Sequence, residues 1–540
     1  MSHDNRPTSG IIDATPATHR ISMENARLFF NTLNQQYLQV HKAKEDLSWS
    51  TYIALRNDPE ASTNAEPAFH AFISDHQKLR ETRQHLATLA ANPASDPELQ
   101  AGLQGWLALF EANVLDNEEA AQLMRELIAA ESSLFAANQQ TRLYHINESG
   151  EREAASLASL QMNMAMNPVE AYRKSSFEAL QQKEEWLLEN GFLDIVRLRN
   201  KFARVLGFAN FFEYRLKKNE QMATIKLFAN LDDFELRPGA ANLRALAELK
   251  EQHGAAALAP WNIRFHQNGD VMRALDPFMP FAKGLQRWID SFVKLGIGFR
   301  GASLQLDLCE REGKYQNGFC HIPSPSYINA NQEWQAATIN FTSMAKPNQV
   351  GSGMRALKTL FHEGGHAAHF ANVAQNSPCF SQEFAPTSMA YCETQSMFCD
   401  SLLGDADWLK RYAKNAQGEA LPDELIHAMI SLNQPFMAFN ERSIALVAYF
   451  ESAMYQLEED KLTPQAVLRL ARATETSVLG ISASPRPMLS IPHLLSQESA
   501  ASYHGYLLAR MAVEQTRAYF LQKHGYLTDN PAIGPALAEH

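Results

Sequence analysis

Thr359-Leu-Phe-His-Glu-Gly-Gly-His366 contains two histidines four residues apart. On an α-helix such residues share one face, with Cβ atoms about 5–6 Å apart. That is the bite two imidazole nitrogens need to reach one zinc ion at about 2.0–2.1 Å. Glu363 directly follows the first histidine, so it is rotated off the histidine pair toward the metal-bound water, where a general base must stand. Met354, Leu357, Leu360 and Phe361 form an apolar stripe leading into the motif, which predicts a buried helix whose polar groups need partners. Gly364 and Gly365 each cost about 1 kcal/mol against alanine inside a helix. Their presence predicts close approach by another backbone or by a substrate.

A catalytic zinc needs a third protein ligand and an open position. His369 is the nearest candidate, but it lies about 10 Å along the helix axis from His362, so it reads as a neighbouring or core residue. Glu393, 27 residues after His366, is the better candidate. Thr387 or Ser388 can cap a helix carrying it, and Gly404 can stop that helix. Glu393 and Asp400 are seven apart and share a face, so one carboxylate can ligate while the other orients a histidine ligand.

Outward from the motif, Gly313–Pro323 and Gln335–Ser343 are aromatic or β-branched and punctuated by Gly, Pro and Asn. They read as two strands joined by a loop. Helical spacing resumes after Pro347 and the Gly351-Ser-Gly353 turn and continues to about residue 525. Residues 21 to about 300 are dominated by helix formers, and the leucines between Glu98 and Asn138 have the spacing of a bundle core. Residues 1–20 are rich in Pro, Thr, Ser and Asp without apolar periodicity, which predicts disorder. No fixed-period repeat is present. The expected fold is mostly α, with a small β-sheet beside the motif helix.

Composition narrows the classes. The 540 residues are 45% hydrophobic and 20% charged, with a formal charge of −12. An acidic chain without a dense basic block lacks the footprint of a nucleic-acid or anionic-membrane binder. There is no signal-peptide pattern at the N-terminus and no apolar run long enough to span a bilayer. Five cysteines without a Cys-x-x-Cys pair indicate neither a disulfide framework nor a thiolate metal site. A reducing cytoplasm is the expected compartment, and the chain is expected to be a monomer.

Three blocks resemble the thimet-oligopeptidase-like zinc peptidases, which include oligopeptidase A and dipeptidyl carboxypeptidase. Leu306–Tyr315 is similar to the segment opening that family's catalytic region. Asn340-Phe-Thr342 and Thr359–His366 resemble its strand and zinc helix, and Glu393–Asp400 its third-ligand helix, with Ser396 and Asp400 in register. Weaker similarity covers Leu198–Asn210, His493 and Tyr503-His-Gly-Tyr506, so the likeness spans about 195–510. It implies a two-lobed helical molecule with a deep central channel, an N-terminal lobe over 21–190 and a zinc-binding catalytic region over 191–540. It further implies one Zn2+ per chain held by His362, His366 and Glu393, Glu363 as base, and His493, Tyr503 and Tyr506 facing the scissile carbonyl. Glu498 and Ser499 stand where the family often has another tyrosine. The family's usual terminal region runs some tens of residues past the position of His540, so the catalytic region is expected to be incomplete at its C-terminal end.

The implied activity is hydrolysis of internal bonds in short, unstructured peptides. The strand over 335–343 is expected to hold an extended substrate by edge addition, through main-chain hydrogen bonds. A helical zinc carboxypeptidase or dipeptidase, and a peptide-binding relative with impaired catalysis, are the alternative readings.

Overall fold

The computed structural model describes residues 16–55, 59–91, 96–315, 317–381, 388–496 and 498–539. The disorder expected over 1–20 falls mostly outside these residues. Where they begin, at Pro16, the chain is helical and runs so to Tyr52. Proline suits the first helical position, where its missing N–H would be unpaired anyway. The helix is anchored by Ala26, Phe30, Leu33 and Tyr37, all buried at three- and four-residue steps.

Helices dominate the chain. The leucine-rich stretch after Glu98 forms two of them, Pro97–Asn113 and Glu118–Gln140. The second starts where the Asn117 side chain accepts from the Glu119 and Ala120 amides, satisfying donors that the first turn leaves open. The two helices serve different cores. Leu99, Leu103, Leu109 and Phe110 pack with Phe30, Tyr37 and Trp106. Leu123, Leu127 and Leu134 pack with Phe192, Phe202, Phe450 and Leu507. A further core, built from Trp288, Phe341, Leu357, Phe361, Phe398 and Trp408, surrounds the motif helix. Among the described residues no helix is long and apolar enough to cross a membrane.

The small sheet differs from the expectation in two ways. Only Cys320–Ser324 of the 313–323 stretch is a strand. The preceding loop instead sends the buried Lys314 ammonium to the carbonyls of Asp307, Cys309 and Ser343, tying two strands together. Those strands are Ser303–Cys309 and Thr338–Ala345, which pair in parallel. Cys320–Ser324 lies antiparallel on the other side of Thr338–Ala345, so the strand expected to offer an edge is the central one. Asn340 is registered with Gln305 on one flank and His321 on the other. Its ladder is filled, and substrate addition there is excluded. A separate hairpin, Leu143–Ile146 with Arg152–Ala155, interrupts the helical N-terminal half.

Candidate metal centre and active site

The motif lies in the helix Ser352–Asn372. Its apolar stripe is in the core, with Leu357, Leu360 and Phe361 at most 1% exposed. The two glycines are explained by contact. A Cβ on Gly364 would come 2.3 Å from the Trp288 indole nitrogen. One on Gly365 would come 2.8 Å from the Ser396 Cα and 3.1 Å from the Gln395 carbonyl oxygen. Gly365 therefore lets the helix Met389–Ser401 lie directly against the motif helix. Ser388 caps that second helix through the Ala390 amide, and Thr387 lies outside the described residues. The helix continues into a 3₁₀ turn that ends at Gly404.

This contact brings His362, His366 and Glu393 together, with their ligand atoms within 4.8 Å of one another. Nε2 of His362 is 3.3 Å and Nε2 of His366 3.7 Å from Oε2 of Glu393. Donors bound tetrahedrally at about 2.0–2.1 Å lie roughly 3.4 Å apart, so this spacing and this two-nitrogen, one-oxygen set fit a divalent metal. Ser396 donates to the same Glu393 oxygen at 3.1 Å. Asp400 meets Nδ1 of His362 at 3.1 Å, which leaves Nε2 facing the metal position. His369 lies outside the group and packs on Phe370 and Tyr391.

The electrostatics follow from the crowding of carboxylates and imidazoles. Burial opposes a charge on His362, but Asp400 and Glu393 outweigh it and hold its pKa well above the ordinary value. Burial likewise opposes charge on Glu393, and the two histidines overcome it, bringing the carboxyl down to about 2. Glu363 is buried, and a Cβ on Gly318 would come 2.7 Å from the Thr359 methyl and 2.9 Å from Oε1 of Glu363, so the loop before Cys320 passes close over the base.

His493, Tyr503 and Tyr506 form a ring cluster with centroids 4.9–5.5 Å apart. Nε2 of His493 is 3.0 Å from the Tyr506 hydroxyl, and that hydroxyl reaches Glu393. Burial and the Glu393 charge keep the Tyr506 proton bound well above the usual phenol range. Burial and the nearby Arg486 push His493 down to about 4. Both are neutral hydrogen-bonding groups at neutral pH. Glu498 points elsewhere, with its carboxylate 3.5 Å from the Lys44 ammonium.

Two arginines in this region escaped the sequence reading. Arg199, fully buried, pairs with Glu131 and donates to the Leu494 carbonyl at 2.8 Å, fixing the turn that carries His493. It sits in the Leu198–Asn210 block, whose role is thus positional. Arg486 donates to the Tyr503 hydroxyl at 3.2 Å. Its only signal in the sequence is its place between two prolines.

The model of peptidase family M3 matches residues 163–528, which takes in every group of the site. A mitochondrial intermediate peptidase from Arabidopsis thaliana is 26% identical over 245 residues, covering 43% of this chain and 33% of that protein. The match thus spans about a third of that relative's length. Solved structures share the fold at low identity. A protein assigned as an oligoendopeptidase F has a TM-score of 0.61 at 15% identity, covering 95% of this chain and 88% of that one. The M32 carboxypeptidase from Deinococcus radiodurans R1 has 0.58 at 14%, covering 94% and 89%. Pz peptidase A has 0.55 at 16%, covering 96% of each chain. With its helical fold, its His-His-Glu cluster and a family match over most of its length, this chain belongs to peptidase family M3, the thimet-oligopeptidase-like metallopeptidases.

Proposed function

We infer that the chain is a zinc-dependent oligopeptidase that cuts internal bonds of short, unstructured peptides, with Glu363 as the general base. The observation that carries this reading is the convergence of His362, His366 and Glu393 within 4.8 Å, with Asp400 on the far side of the His362 ring. Two imidazoles and one carboxylate are the donor set of catalytic zinc hydrolases. When bound, the metal supplies Lewis acidity that polarises a peptide carbonyl and acidifies a water.

The remaining work falls to the chain. Glu363, buried beside Gly318, takes a proton from the attacking water and returns it to the leaving amine. Tyr506, Tyr503 and His493 present neutral donors to the oxygen on which negative charge develops. Because Thr338–Ala345 has no free edge, main-chain pairing with substrate would fall to an outer strand of the sheet, Ser303–Cys309 or Cys320–Ser324. One metal per chain and a cytoplasmic, monomeric enzyme complete the reading.

The test is product mapping on a peptide length series, with and without a chelator. Internal cleavage that stops on chelation and returns on adding zinc supports the reading. Cleavage indifferent to chelation, or absent with zinc bound, overturns it.

A further inference from the structure

Between His493 and the helix His504–His524 the chain turns through Ala500, Ala501 and Ser502, all at most 1% exposed. Ala501 has a φ of 56°. That is the left-handed region, which residues bearing a Cβ rarely adopt and which persists only where the surroundings over-determine it. Tyr503 follows two residues later and Tyr506 lies in the first turn of the helix, so the conformation at Ala501 sets where both rings stand. No glycine stands at residues 494–504, so nothing local makes this backbone easy, and the hold must come from elsewhere in the chain.

Two distant helices supply it. Glu451, on Met437–Tyr455, accepts from the Ala501 amide at 2.8 Å. Arg215, on Phe211–Glu220, donates to the Glu498 carbonyl at 2.7 Å and to the Ala500 carbonyl at 3.4 Å. Asn219, one turn further along that helix, donates to the Ser502 hydroxyl at 3.1 Å. These bonds bracket Ala501 on both sides. Glu451 is 1% exposed and Arg215 7%, and a buried charged group is a costly way to stabilise a fold. What the Glu451 carboxylate does supply is an acceptor fixed at one amide of one turn.

We propose that Glu451 is a positioning residue, which holds Ala501 in the left-handed region and so delivers the Tyr503 and Tyr506 hydroxyls to the metal centre. The inference rests on the peptidase reading of that site. Without the Glu451 acceptor the buried Ala501 amide loses its partner. Relaxation of φ to the ordinary helical value of about −63° is then a rotation of about 120°. It re-aims the chain that follows, and the 3.0 Å contact between Nε2 of His493 and the Tyr506 hydroxyl opens. The metal-site residues stand on Ser352–Asn372 and Met389–Ser401, so zinc binding is retained.

The experiment uses the zinc-loaded full chain, labelled with fluorotyrosine, as Glu451→Gln, which keeps a carbonyl acceptor, and Glu451→Leu, which does not. Each is made with and without Ala501→Gly. Glu451→Leu should bind zinc as the wild type does and lose kcat about 10–100-fold with little change in KM, the cost of misplacing a reacting group by about 1 Å. Glu451→Gln should keep most of the activity. Ala501→Gly should return most of what Glu451→Leu loses, because glycine takes the left-handed region unaided. The fluorine resonances of Tyr503 and Tyr506, assigned with Tyr503→Phe and Tyr506→Phe, should shift in Glu451→Leu and return in the double variant. Unchanged kcat in Glu451→Leu overturns the proposal, as does an equal loss in Glu451→Gln or a loss that Ala501→Gly leaves unrepaired. If Glu451→Leu does not fold, Glu451→Asp, whose acceptor is one methylene further back, is read by the same criteria. A wild type that binds zinc and cuts no peptide sinks the peptidase reading. The resonances then decide the positioning role, which stands if they move and return and falls if they stay.

Discussion

Nδ1 of His362 stands 3.1 Å from Asp400, and Nε2 of the same ring stands 3.3 Å from Glu393. Both carboxylates belong to one helix, so Met389–Ser401 grips the imidazole at both of its nitrogens. The tautomer that presents Nε2 as a metal donor is selected by Asp400, and this is why a carboxylate seven residues past the third ligand matters.

Asp400→Asn should weaken metal binding about 10–100-fold while leaving the fold intact. Titration against a zinc buffer measures it. An affinity equal to wild type would remove Asp400 from the site.

Glu363→Gln should keep its metal and lose turnover by about 10²–10⁴-fold, the usual contribution of a positioned base. Metal analysis and hydrolysis of a fluorescent peptide on the same sample decide it, and a variant with full activity refutes the assignment.

Tyr506→Phe should lower kcat by about 10²–10³-fold with little change in KM, because a donor aimed at developing charge acts in the transition state. A loss confined to KM would instead make Tyr506 a substrate-binding group.

Gly365→Ala should destabilise the protein by about 1–3 kcal/mol, although alanine normally favours a helix. Its Cβ would meet the Ser396 backbone at 2.8 Å, and backbone gives little. Gly404→Ala, with nothing within 4 Å, is the near-neutral control. Denaturant midpoints compare them, and equal midpoints would contradict the close helix contact.

His493 predicts a pH effect on stability. Its pKa is lowered in the folded chain to about 4, below an unfolded value of about 6.5. The unfolded state therefore binds more protons between these values, and stability falls as pH drops from 6.5 toward 4. The loss is on the order of 3 kcal/mol. Chemical denaturation at several pH values should show a shallower acid slope for His493→Gln, and an identical slope would exclude His493 as the source.

The sequence by itself determined what depends on local periodicity. The i, i+4 spacing of His362 and His366, the seven-residue step from Glu393 to Asp400 and the Ser388 cap are properties of single helices, readable because a helix repeats every 3.6 residues. The glycine pair showed that something must come close, since a helix tolerates such residues only at a cost. Only the tertiary structure decided what came close: Trp288 at Gly364 and Ser396 at Gly365. It alone showed that Thr338–Ala345 is flanked on both sides, because the alternation of Leu304, Leu306 and Leu308 marks Ser303–Cys309 as a strand without encoding which strand it pairs with. It alone placed Arg486 beside Tyr503. Those contacts join residues from 17 to 76 positions apart, and no local period encodes which side chains meet across that distance.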